Sequence, residues 1–228
     1  MIQSPLYEAV VQKELIDLLD SSHVNDIELR VIITDLMSVC RFFNGDRKDF
    51  KLLEAYTYQK IWISLSYRLL YRYPLIGGRR NTDGENAWHF GILGLITTFL
   101  FRKGRSLRLS YDLLAGALRG AIERALSSVS IPEPTKLWFL FVGGISVFDS
   151  TYTAWLSPKI KASLTNLGID NWPAARSEIK KHPWVDLVHD KLGQELWRDM
   201  VEIGVMAIAN SQHHAALPCR TLDESLAP

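Results

Sequence analysis

The sequence predicts an all-α fold. Apolar residues recur at three- and four-residue spacing along most of the chain, and no run of strict apolar–polar alternation appears anywhere. Proline and glycine fall between the periodic segments or at their first positions, where they punctuate helices rather than break them. Together these observations predict a single domain of about eight to nine packed helices over residues 1–209, followed by a small, polar C-terminal tail over 210–228.

The elements follow in order. Leu6, Val10, Val11, Ile16, Leu18 and Leu19 make 6–20 an amphipathic helix, interrupted at Ser21-Ser22-His23. Asn25 followed by Glu28 reads as a capping box for a helix to about Phe43, with Ile27, Val31, Ile32, Leu36, Val39 and Phe43 as its apolar stripe. Asn44-Gly45-Asp46 is a turn. Asp49 caps a long helix through Tyr56, Ile61, Trp62, Leu65, Leu69 and Leu70 that Pro74 stops. The loop over 76–84 is the clearest break in the chain. Beyond it the pattern predicts helices at 85–102, 110–128, 134–149, 151–167, 173–180 and 183–208. Ser110, Thr135 and Ser157 are expected as N-caps, with Pro158, Pro173 and Pro183 at first helical positions.

Composition narrows the class. At 228 residues, 47% hydrophobic and 22% charged, the chain is long and apolar enough to bury a sizeable core. A net charge of +1 supplies no field for nucleic acid or anionic membrane. Cys40 and Cys219 are too few and too distant for a disulfide framework or a four-cysteine zinc site, which fits a reducing compartment. No secretory signal is seen, and the apolar runs at 88–101 and 137–148 fall short of the roughly 20 residues of a membrane span. A soluble protein of nucleus or cytoplasm is expected.

No complete catalytic signature emerges. His182, Asp186 and His189 have a spacing that brings side chains onto one helical face, a legitimate metal set. But His182 precedes Pro183 and belongs outside the helix, so no metal site is expected. His89 lies near Asp83 and Glu85, yet a helix N-terminus favours the carboxylate anion, so both acids are expected to cap rather than donate protons. Gly77-Gly78-Arg79-Arg80 and Gly143-Gly144 follow no strand and complete no phosphate-binding motif, so no cofactor is expected; the second pair suits close helix approach. Arg102, Lys103, Arg105 and Arg108 read as a solvated loop without a DNA-recognition pattern. An enzymatic reading would rest on His89, Asp149, Asp186 and His189.

The aromatic residues carry more. Five of the seven tryptophans lie between Leu137 and Trp197, and tryptophan of this density means either a filled core or an aromatic-lined pocket. The run Leu137-Trp138-Phe139-Leu140-Phe141-Val142-Gly143-Gly144, then Trp155, Trp172, Pro183-Trp184-Val185-Asp186 and Glu195-Leu196-Trp197, resembles the C-terminal part of the fungal-specific transcription factor regulatory domain. The resemblance covers about residues 25–205, with Tyr67-Arg68-Leu69-Leu70 and residues 93–100 matching its texture less specifically. It implies an all-helical middle-homology region that regulates through protein contacts and a small effector. In that family a six-cysteine zinc cluster precedes this region; no such cluster stands here, so direct DNA binding is not expected. The implied partners are another protein or a small hydrophobic molecule, with a homodimer possible. The alternative is a stand-alone enzyme of fungal secondary metabolism that orients a hydrophobic substrate in an aromatic-lined helical pocket, with one acid or base and no motif.

Overall fold

The computed structural model describes residues 13, 15–21, 24–45, 55–72, 74–75, 82–100 and 111–202. Every regular element among them is helical. A helical turn at 15–21 leads into α1 (Ile27–Asn44), α2 (Ala55–Arg72), α3 (Asp83–Leu100), α4 (Asp112–Ser127) and α5 (Glu133–Ser146). A 3₁₀ turn (Ser150–Tyr152) precedes α6 (Thr153–Leu167), α7 (Trp172–Ile179) and α8 (Asp186–Trp197), and α8 runs on into a π-helical turn (Arg198–Glu202). The expected Asp49 cap, the Ser110 cap, the 102–108 basic loop, Cys219 and the 210–228 tail lie outside the described residues.

α5 is the hub. It packs against α3, α4, α6, α7 and α8, while α3 joins it to α2 and α4. Its sequence explains this placement: Thr135, Lys136, Leu137, Trp138, Phe139, Leu140, Phe141, Val142 and Gly143 are all buried, so no face is left for solvent. A helix apolar all round must be enclosed, and each fully buried Leu or Phe adds roughly 1.5–3 kcal/mol of transfer free energy. Lys136, the one charge in the run, reaches Glu133 at 3.4 Å.

Glycines permit the close crossings. A Cβ at Gly144 would fall 2.6 Å from Leu196 Cδ2, and one at Gly193 would fall 2.6 Å from Trp172 Cη2. The α5–α8 seam at Gly144 and the α7–α8 seam at Gly193 therefore each depend on hydrogen in place of methyl. Gly168, at φ +66°, ends α6 in the left-handed conformation glycine adopts without strain, and Ile169 N–H closes the turn on Leu164 O at 2.9 Å.

Helix starts differ from expectation in instructive ways. The cap of α1 is Asp26, whose carboxylate accepts Leu29 N–H, and not Asn25. Thr135 and Ser157 lie inside helices: Pro132 and Tyr152 hold the capping positions, and Thr135 and Ser157 use their hydroxyls on His182 Nε2 and Met200 O. Pro158 is interior to α6, while Pro173 sits in the first turn of α7 behind the Asn171 cap. Pro183 lies in the bend before α8, which starts at Asp186.

One carboxylate ties two helix starts together. Thr82 and Glu85 form a capping box, Glu85 N–H donating to Thr82 Oγ1 (3.1 Å) and Thr82 N–H to Glu85 Oε2 (3.2 Å). Glu85 Oε1 meanwhile accepts the N–H groups of Asn25 and Asp26, both at 2.9 Å, just before α1. Asp83 pairs with Arg124 of α4 at 3.1 Å. Both acids act as structural ties at helix starts.

Candidate functional site

The four residues on which an enzymatic reading would rest are scattered. His89 is buried in α3 with its ring edge-on to Phe90, centroids 4.9 Å apart. Asp149 is exposed and caps the 3₁₀ turn, accepting Thr151 N–H at 2.9 Å and Thr151 Oγ1–H at 2.6 Å. Asp186 and His189 share α8 but face different neighbours. Asp186 Oδ2 meets Lys180 Nζ at 2.7 Å and Arg176 at 3.0 Å, beside α7.

His189 is fully buried against α3, and its ring nitrogens have structural partners. Val185 N–H donates to Nδ1 at 2.9 Å, which satisfies a donor at the start of α8. Nε2 lies 2.9 Å from Thr98 Oγ1, whose own proton is directed at Leu95 O, 2.6 Å away. Only a neutral ring with its proton on Nε2 fits this chain of bonds. Trp184 and Phe99 stand 4.9 and 5.0 Å away and close the site.

His182 lies across the core from it. Its Nε2 is 3.0 Å from Thr135 Oγ1, and its ring stacks on Trp138 (5.7 Å) and Trp88 (5.9 Å). Burial drives its pKa down to about 4, against the opposing pull of the Glu178 and Ile179 carbonyls. Trp138 Nε1–H donates to Pro183 O at 3.0 Å, which holds the segment carrying this histidine onto α5. Of the tryptophan-rich stretch, Trp138, Trp184 and Trp197 are thus interior packing, while Trp155 and Trp172 are half-buried at its margin.

A salt network seals α7 to α8. Arg176 holds Asp190 through two bonds of 2.9 and 2.7 Å, and Trp184 Nε1–H donates to the same carboxylate at 2.9 Å. Burial alone would raise the Asp190 pKa, but the Arg176 and Trp184 hydrogen bonds outweigh it and hold the carboxyl below the usual range. Cys40 is buried against the Trp184 backbone, and that burial pushes its thiol up to about 12, far from a nucleophile. Among the described residues no group of three His, Cys, Asp or Glu side chains is placed to hold a metal ion, and no helix is long and apolar enough to cross a membrane.

The feature that packing does not use is on the outside. α1 and α2 run antiparallel and enclose an open groove of about 380 Å³ lined by Ile27, Glu28, Val31, Ile32, Tyr67, Arg68 and Tyr71. Ile27 is 71% exposed, Val31 45%, Tyr67 64% and Tyr71 77%, and the two tyrosine rings stack at 5.5 Å. Ile63 and Leu70 extend the same face. Arg68 NH1 is held 2.6 Å from Asp35 across the groove. A second groove, about 490 Å³, lies between α3 and α4 and is polar, lined by Asp83, Glu123, Arg124, Ser127 and Ser128 with Gly120.

Sequence periodicity assigned Ile27 and Val31 to the core stripe of α1. Ile32, Leu36 and Phe43 of that stripe are buried, together with Leu29, Ile33, Met37 and Cys40, whereas Ile27 and Val31 are exposed. α1 therefore carries apolar residues on two faces, and so does α2, where Trp62, Leu65 and Leu69 point inward. That surplus was the available signal for the surface: an amphipathic helix needs one apolar stripe, and a second implies a second contact.

Fold and surface together define a class: among the described residues, an all-helical domain with an exposed aromatic–aliphatic face. No protein-family model, curated protein or solved structure matches the chain.

Proposed function

We propose that this chain is a non-enzymatic regulatory domain that binds a protein partner through the α1–α2 face, in the manner implied by its resemblance to the fungal transcription factor regulatory domain. The observation that carries the reading is the exposure of Ile27, Val31, Tyr67 and Tyr71 along one groove. Aromatic residues at an apolar surface supply large contact area at low entropic cost, and such residues dominate binding energy at interfaces.

The interior supports the same reading. The ring nitrogens of His189 serve helix structure, and His182 is stacked between tryptophans in a fully buried position. Acid–base work needs a titratable group within reach of a substrate, and Asp149 and Asp186 are engaged in a cap and an ion-pair network.

The test is a tethered-reporter assay. Fused to a heterologous DNA-binding domain in a fungal host, the chain is expected to change transcription of a reporter carrying the matching operator. Reporter output equal to that of the DNA-binding domain alone, with the fusion expressed and folded, contradicts the reading.

A further inference from the structure

We infer that the α1–α2 face takes a second copy of this chain, forming a two-fold dimer; the inference builds on the partner-binding reading and specifies its partner. The argument is one of charge and symmetry. Residues 55–72 contain Lys60, Arg68 and Arg72 but no Asp or Glu, whereas the groove side of α1 presents Glu28 and Asp35. The face is thus lined by the apolar Ile27, Val31, Tyr67 and Tyr71, with Glu28 on its α1 side and Arg68, bridged to Asp35, on its α2 side.

The helices are antiparallel, so residues 27–32 of α1 lie level with residues 67–71 of α2 across the groove. A two-fold axis running along the groove, in the plane of the face, lays α1 of one copy on α2 of the other at the same height. Glu28 then opposes Arg68 of the second copy, twice by symmetry, and the Tyr67–Tyr71 ridge meets the Ile27–Val31 edge. An isologous contact requires such a self-complementary patch. Arg68 can serve both carboxylates, because a guanidinium carries five N–H donors and the Asp35 contact runs through NH1. With a net charge of only +1, the two copies do not repel each other as a whole.

Sedimentation equilibrium of the full chain between roughly 1 μM and 1 mM reads the association. The wild type is expected to dimerise reversibly, and Glu28→Arg or Arg68→Glu alone to weaken dimerisation by about tenfold or more, since each turns two attractive pairs into repulsive ones. Mixing the two variants is expected to restore dimerisation as a heterodimer, because each charge then again faces its opposite. Circular dichroism confirms that both variants remain helical, and Tyr71→Ser serves as an uncharged second variant that also weakens the dimer.

A wild type that stays monomeric across this range overturns the inference, as does a dimer that neither charge reversal weakens or that mixing does not restore. These outcomes leave the tethered-reporter result standing, so failure of the second-copy inference and failure of the partner-binding reading are told apart.

Discussion

Glu85 Oε1 accepts the backbone N–H of Asp26 at 2.9 Å, across 59 positions of sequence. The same side chain completes the capping box of α3, so a single buried carboxylate fixes the relative placement of two helix N-termini and, through α1, one wall of the exposed groove. Removing it leaves three backbone donors without their acceptor. Glu85→Ala is expected to lower the free energy of unfolding by about 3 kcal/mol, and Glu85→Gln by less, since the amide keeps one acceptor oxygen. Urea unfolding followed by circular dichroism checks both, and a Glu85→Ala loss below about 1 kcal/mol would show that α1 is positioned by packing alone.

His182 makes stability depend on pH. Its pKa is about 4 in the folded chain against 6.5 as the ordinary value, so between these limits the unfolded chain binds the extra proton. Stability from this group is therefore complete above pH 6.5 and falls as pH drops toward 4, by about 3 kcal/mol over the full window. His182→Gln should flatten this slope. Denaturant midpoints at pH 7, 6, 5 and 4 measure it, and identical slopes for the two proteins would rule out His182 as the group responsible.

The buried Cys40 thiol should be chemically silent. With its pKa pushed up to about 12 and no solvent access, it should not react with an aromatic disulfide reagent at pH 8 until the chain unfolds. A Cys219→Ser background isolates the signal. Rapid labelling of the folded protein would mean that the α1–α8 contact opens readily.

Two glycines should respond to a methyl group with opposite signs. Gly193→Ala drives a Cβ into Trp172 and Trp184 and is expected to destabilise by about 1–3 kcal/mol. Gly116 is exposed in α4 and a Cβ there meets nothing within 4 Å, so Gly116→Ala is expected to stabilise by about 0.5–1 kcal/mol. Thermal melts of the two variants check the signs.

How much of this was legible in the sequence differs by element. α3 and α5 were readable because their apolar runs are continuous, and a continuous run of helical length means enclosure whatever the register. The displacement of His182 from α8 was legible too, since Pro183 excludes the residue before it from a helix. The caps were harder: Asn25 and Asp26 both suit the role locally, and the choice between them depends on Glu85, 59 or 60 positions away. The histidines were illegible for the same reason. His189 spacing within α8 matches a metal set, but its partners are Thr98 of α3 and a backbone N–H, which no local pattern encodes. The groove was missed because periodicity locates apolar residues without ranking two stripes on one helix, and only the packing of Leu29, Ile33 and Met37 inward shows that Ile27 and Val31 are left over.

The measurement that bears most directly on that surplus is the Tyr67→Ser/Tyr71→Ser double variant in the tethered-reporter assay, paired with its unfolding curve. Both side chains are largely exposed, so stability should stay within about 0.5 kcal/mol of the parent while the reporter effect is lost. A double variant that keeps both its fold and its full reporter effect would contradict a regulatory role for the α1–α2 face.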